Sequence, residues 1–338
     1  MLYPGGKLGA VARHLLTWLC GCALLFSSAA IAQPFPEVQP TWIDPYPETY
    51  VVSDTPTAPP TDEPVMVSDG DVSYFESAEP YAEPDSWSWQ VLPSGLAYRA
   101  YLAGPKESRL GTLWAHEQDQ GWLWDIALGG RAALLRYGTC DGLRPQGWEL
   151  QVEGAGLPRL GMEEESDVQA VDFRAGVPLV YASGDHQYKL AYYHLSSHLG
   201  DEFLIKNPGY DRLNYVRDAI VLGTGYYLTP ELRAYGEVGY SFNVDGGAEP
   251  WEFQFGMERA PAGPTGMRGE PFAAVNAHLR EEFRYSGNLV VQAGWAWRGD
   301  GAGHLLRTGF EYFNGRDEQY SFLREHQQKM GLGLWYDF

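Results

Sequence analysis

From about residue 90 to its end, this chain puts apolar side chains at every second position, in run after run. Side chains alternate across a strand with period two, so each such run reads as a strand with one apolar and one polar or small face. In the last run Met330, Leu332, Leu334, Tyr336 and Phe338 share one face, and Lys329, Gly331, Gly333, Trp335 and Asp337 share the other. Val171, Phe173, Ala175, Val177 and Leu179 alternate with Asp172, Arg174 and Gly176, while Leu289, Val291, Ala293, Trp295 and Trp297 oppose Asn288, Gln292 and Arg298. Turn formers such as Asp245-Gly246-Gly247 and Ser286-Gly287-Asn288 separate the runs.

The N-terminus has the three parts of a secretory signal peptide, expected to cover residues 1–32: Lys7 and Arg13, an apolar stretch from Leu15, and the small-x-small sequence Ala30-Ile31-Ala32. Its removal leaves Cys140 alone, so no intramolecular disulfide is expected. Past residue 32 no apolar run reaches the ~18 residues of a membrane helix. A chain without such helices spans lipid only as a closed barrel, because every backbone N–H and C=O needs a partner there. The expected fold is therefore all-β, a closed antiparallel transmembrane barrel over residues 90–338. Counting runs from Leu96 gives about 12 strands, an even number as in single-chain bacterial barrels. Aromatic residues near run ends (Tyr226, Tyr227, Trp295, Trp297, Tyr312, Tyr336) suit the girdles of such barrels. A secreted soluble β-protein shows the same alternation and stays as an alternative.

Residues 33–89 hold 11 prolines and 12 acidic residues with no Lys or Arg, and are expected to be a disordered periplasmic leader. Its aromatics, including Trp42, Tyr46, Trp87 and Trp89, are either incidental or a contact for a periplasmic partner. Of 24 Lys and Arg, 22 remain after Lys7 and Arg13 are cleaved, against 44 Asp and Glu, which disfavours nucleic acid as a partner.

The final run resembles the last strand of bacterial outer-membrane barrels, which ends in Phe and is read by the barrel-insertion machinery. On that resemblance Gly333, Tyr336 and Phe338 form the insertion signal, Gly331 standing where a polar residue is usual. The implied location is the outer membrane of a Gram-negative bacterium, with outer-membrane lipid as surroundings. With the C-terminus in the periplasm, parity makes Leu199 to Leu213 an external loop, and Asn207-Pro208-Gly209 within it suits a turn.

The stretch entering that loop, Tyr192-Tyr193-His194-Leu195-Ser196-Ser197-His198-Leu199-Gly200-Asp201-Glu202-Phe203, resembles an uncharacterised bacterial family, domain of unknown function 1207. Its members look like exported barrels with no established activity. His194, Ser196 and His198 share the lipid-facing side with Tyr188, Leu190 and Tyr192. A His-x-Ser pair there is similar to the arrangement in outer-membrane phospholipase A and the lipid A deacylases. The resemblance implies Ser196 as nucleophile, His194 as base and Asp218, on the next strand, as the group orienting the histidine. The Asn that usually follows the serine is replaced by Ser197. The bland reading is a strand turning polar as it leaves the membrane. Metal binding by His194, His198, Asp201 and Glu202 is disfavoured, since i and i+4 on a strand lie ~13 Å apart; no metal or cofactor is expected. Inward charges (Asp172, Arg174, Arg233, Glu237, Glu252, Glu258, Arg280, Glu282, Arg307, Glu311) either line a narrow pore or fill the lumen. The reading preferred from the sequence is a non-enzymatic barrel, a narrow channel or structural protein; the alternative is an acyl-ester hydrolase of outer-leaflet lipid.

Overall fold

A computed structural model describes residues 86–163 and 165–338. The expected signal peptide and nearly all of the expected leader lie outside the described residues. Thirteen strands form one antiparallel sheet: β1 (Ser88–Val91), β2 (Leu110–Glu117), β3 (Gly121–Gly138), β4 (Gly147–Gly161), β5 (Asp167–Ser183), β6 (His186–Leu199), β7 (Val216–Tyr227), β8 (Leu232–Asp245), β9 (Trp251–Arg259), β10 (Glu270–Arg280), β11 (Ser286–Arg298), β12 (Leu305–Arg316) and β13 (His326–Asp337). Each of β2–β13 pairs with its neighbours in sequence, and β13 returns to β2 through Lys329↔Glu117 to Tyr336↔Leu110. These 12 strands close a barrel, leaving unpaired only a short stretch of β3 beside the β2 seam. Leu157-Pro158-Arg159-Leu160, irregular as a pattern, lies within β4.

The alternation resolves as lipid-type outside and charged inside. Leu190, Leu222, Phe255, Val291, Phe310 and Leu332 project outward and are exposed, whereas Arg136, Arg159, Arg217, Arg233, Arg280 and Arg307 point inward and are fully buried. An apolar belt with this exposure is stable against hydrocarbon and costly against water.

One expectation is corrected. The run from Leu96 is not a strand of the wall. Residues 92–109 leave the sheet after β1 and fill the lumen, with Tyr98, Tyr101, Leu102 and Ala103 at most 5 % exposed. The turn inward uses positive φ at Leu92 (50°) and Gly95 (72°); a Cβ at Gly95 would sit 1.9 Å from the Gly142 carbonyl oxygen. An inserted segment forms no sheet ladder, so its backbone needs other partners. Wall side chains supply them. Arg136 donates to the carbonyls of Ser94 and Gly95, Arg233 to those of Arg99 and Ala100, and Arg307 to that of Leu102. Glu149 and Glu258 accept from the amides of Ala97 and Leu102. The inward charges thus pair with one another and with this plug. The space left includes cavities of 60 and 40 Å³, room for a few waters each.

We call the end where β13 finishes the near rim and the opposite end the far rim. At the far rim the β12–β13 connection, residues 317–325, folds into the lumen. Asp317 and Glu318 meet Arg159 at 2.8 and 2.9 Å, Arg159 also binds Asp125 at 2.6 Å, and Lys329 joins Asp125 and Glu318. Cap and plug meet where Lys106, ion-paired with Asp172 at 2.6 Å, lies over the Tyr320 ring. Arg159→Met leaves three carboxylates short of a buried cation, and losing one partner of such a pair costs ~3–5 kcal/mol. The expected loss is of that order, read as a lower urea midpoint for protein folded into vesicles.

Phe338 closes the seam. Below Leu110 the β2 side of β3 lacks a neighbour until β1 takes over at Leu135, and the Phe338 ring lies over Gly130 in that gap, edge-on to Tyr336 and His304. Gly333 lies beneath the Trp335 ring, which a Cβ would strike at 2.2 Å. Deleting Phe338 is expected to lower the folded, outer-membrane fraction severalfold, measured as the heat-shifted band on a gel. Retention of the full wild-type fraction would count against an insertion role.

Candidate active site on the barrel wall

β6 climbs to the far rim with Tyr188, Leu190, Tyr192, His194, Ser196 and His198 on its outward face, as the alternation requires. β7 descends beside it from a connection containing one short helix, α1 (Asp201–Lys206). Register places His194 directly across from Asp218, Tyr192 across from Ile220 and Ser196 across from Val216. Directly opposed side chains on one sheet face sit within reach of each other. His194 Nδ1 and Asp218 Oδ1 are 2.8 Å apart.

Asp218 is held on every side. Its Oδ1 also accepts from the Tyr192 hydroxyl at 2.7 Å, and its Oδ2 accepts from Asn243 Nδ2 at 2.6 Å. Asn243 gets there through an irregularity. The β7–β8 register shifts between Asp218 and Ala219, so Ser241 pairs with Ala219 while Asn243 pairs with Asp218. The extra residue, Phe242, leaves it and Asn243 both exposed in succession. A bulge of this kind re-aims a side chain, here from lumen to wall.

The carboxylate dictates the tautomer of His194. An ionised Asp218 accepts only, so Nδ1 is the donor, and in the neutral imidazole that leaves the lone pair on Nε2. Ser196 stands two residues further on the same face, half-buried; among the described residues no hydrogen bond joins it to His194 or Asp218. The structure thus joins His194 to Asp218 and sets Ser196 next along the strand. Nucleophile–base hydrogen bonds are often long or absent until substrate is bound.

Neighbouring residues separate cleanly. Ser197 faces the lumen and hydrogen-bonds Ser321 of the cap at 2.7 Å, so it braces the loop rather than facing lipid. His198 lies against the Phe173 ring at 5.9 Å. Sequence reasoning missed Asn243 and the Tyr192 hydroxyl. Strict alternation assigns Asn243 to the lumen, and Tyr192 reads only as one of the side chains marking the lipid-facing side. The apolar neighbours Leu190, Ile220, Leu222 and Phe242 surround the cluster with hydrocarbon-compatible surface. A polar cluster in such a belt is costly unless its groups are paired.

Residues 85–338 match a family described as Protein of unknown function (DUF1207). No curated protein matches the chain. Among solved structures, outer membrane phospholipase A from Escherichia coli is similar at 10 % identity and a TM-score of 0.43, over 70 % of this chain and 91 % of that one. The Salmonella typhi outer membrane phospholipase dimer with bound calcium is similar at 9 % identity and a TM-score of 0.45, over 68 % of this chain and 90 % of that one. The KdgM porin in complex with disordered oligogalacturonate is similar at 10 % identity and a TM-score of 0.37, over 68 % and 99 %. Identities and scores this low carry no functional argument.

Proposed function

This chain belongs to the DUF1207 family, membership that fixes no activity, and we propose that it is an outer-membrane hydrolase of lipid acyl esters working from its outer wall. The observation carrying the reading is the His194–Asp218 hydrogen bond through Nδ1, on the lipid-facing side of the barrel, with Ser196 on the same face. Three features support it. Asp218 is fixed by Asn243 and Tyr192, so the imidazole is held in one orientation. The cluster stands where apolar wall gives way to the far-rim loops, the depth at which lipid ester carbonyls meet water. The lumen, by contrast, is occupied by the plug and the cap.

In this reading Ser196 Oγ attacks an acyl carbonyl while His194 Nε2 takes its proton. The ester C–O bond breaks, and the imidazolium returns the proton to the departing lysolipid alcohol. Water, deprotonated by the same Nε2, then releases the fatty acid and restores the serine. Asp218 orients the ring and stabilises the imidazolium. The far rim faces outward, which puts residues 200–215 outside the cell and the substrate in the outer leaflet. The test is fatty-acid release by the purified, refolded full chain from mixed micelles and from vesicles of phospholipid or lipid A. Release dependent on Ser196 supports the reading. Absence of release from either lipid class by folded protein overturns it.

A further inference from the structure

The near rim contains two arginines that the fold leaves without a carboxylate. Arg99 lies on the plug and Arg298 ends β11, and both line a 40 Å³ cavity with Arg144, Tyr227 and Arg233. They converge on Gly303: Arg298 Nη1 donates to its carbonyl at 2.5 Å, and Arg99 Nη2 lies 2.5 Å from where a Cβ on it would be. Otherwise these two guanidiniums meet only backbone oxygen. Arg99 Nη2 donates to Leu143 O, and Arg298 Nε to Pro261 O.

The side-chain carboxylates lining the cavity already have cations. Phe338, the last residue, lines it too, and among the described residues no ion pair joins its terminal carboxylate to either arginine. Glu258 pairs with Arg233 at 2.6 Å, Glu231 with Arg259 at 2.5 Å, and Asp337 with Arg307 at 2.6 Å and Arg109 at 3.4 Å. Arg144 has Asp185 at 3.2 Å. Among the described residues no ion pair reaches Arg99 or Arg298, although Arg298 is only 7 % exposed. A cation buried without a counter-charge is costly, and planar guanidiniums match tetrahedral oxyanions through paired N–H bonds.

We propose that the near rim binds a small free oxyanion of the phosphate class between Arg99 and Arg298. The bound anion bridges plug to wall, since one arginine comes from each. The cavity opens at the near rim among inward-facing residues such as Arg233 and Asp337 and away from the apolar outer wall, so the ligand proposed is a free ion and not a lipid headgroup. This site is separate from His194 and owes nothing to the hydrolase reading.

The test is calorimetric titration of inorganic phosphate into the full chain refolded in detergent, in chloride buffer at constant ionic strength. Arg298→Gln and Arg99→Gln are titrated alongside, with the heat-shifted gel band as the folding control. Saturable phosphate binding by the wild type, weakened about tenfold or more in each variant, is expected from losing one charge-assisted contact. Arg99→Gln is the safer variant, because Arg99 lies outside the wall and is partly exposed. Wild-type protein showing no saturable binding, or both folded variants binding as tightly as wild type, overturns the proposal.

Discussion

Ser196→Ala will cut fatty-acid release from outer-leaflet lipid by about 10³-fold or more, because removing the nucleophile of a triad leaves only binding and oxyanion effects. His194→Ala is expected to fall as far, and the double variant no further, since the two act as one unit. Asp218→Asn keeps a side-chain oxygen near Nδ1 but removes the charge that stabilises the imidazolium. Its loss is expected to be smaller than or equal to that of Ser196→Ala and to fall mainly on kcat. Tyr192→Phe removes one of three donors to Asp218 without touching His194 and serves as the mild control. Misfolding does not confound the Ser196 variant. Ser196 sits on the outer surface with no side-chain hydrogen bond among the described residues, and such substitutions usually change stability by within ~0.5 kcal/mol. Full activity in folded Ser196→Ala protein would remove the chemistry from this wall.

Removing the plug is the other large effect. Val91 pairs with Leu135 and Leu110 with Leu128, so the chain leaves and rejoins the same seam seven β3 positions apart, ~23 Å at ~3.3 Å per residue. Residues 93–109 can therefore be replaced by about eight Gly/Ser residues, a span of ~26 Å. The wild-type chain is expected to be silent in planar bilayers. The replacement is expected to give steady current steps proportional to salt, because the emptied lumen keeps its charged lining and takes up water. A replacement that shows the heat-shifted band yet stays silent would mean that the cap of residues 317–325 and the wall side chains close the lumen without the plug. The polar character of the attachment supports the expectation. Arg136, Arg233 and Arg307 hold backbone carbonyls, and water can take over such bonds when the segment leaves.

Local pattern was enough for the wall. Inward Glu149, Gln151 and Glu153 and outward Trp148 and Val152 fall where period two puts them, because a strand's faces are set by covalent geometry. The shared outward face of His194 and Ser196 came from the same rule, as did the position of Asp218 beside Ile220 and Leu222. The contact between His194 and Asp218 did not, since register across a connection of sixteen residues, 200–215, is a property of the closed sheet.

Residues 96–103, Leu-Ala-Tyr-Arg-Ala-Tyr-Leu-Ala, alternate well enough to pass for a strand. Only the packed molecule puts them in the lumen, where arginines from β3, β8 and β12 reach one short segment together. Asn243 carries a similar lesson, because a bulge breaks the period on which its assignment to the lumen rested. Period-two alternation was enough to specify a sheet with one greasy and one charged face. Tertiary closure decided what each face meets, because contacts between residues far apart in the chain exist only once the first and last strands have joined.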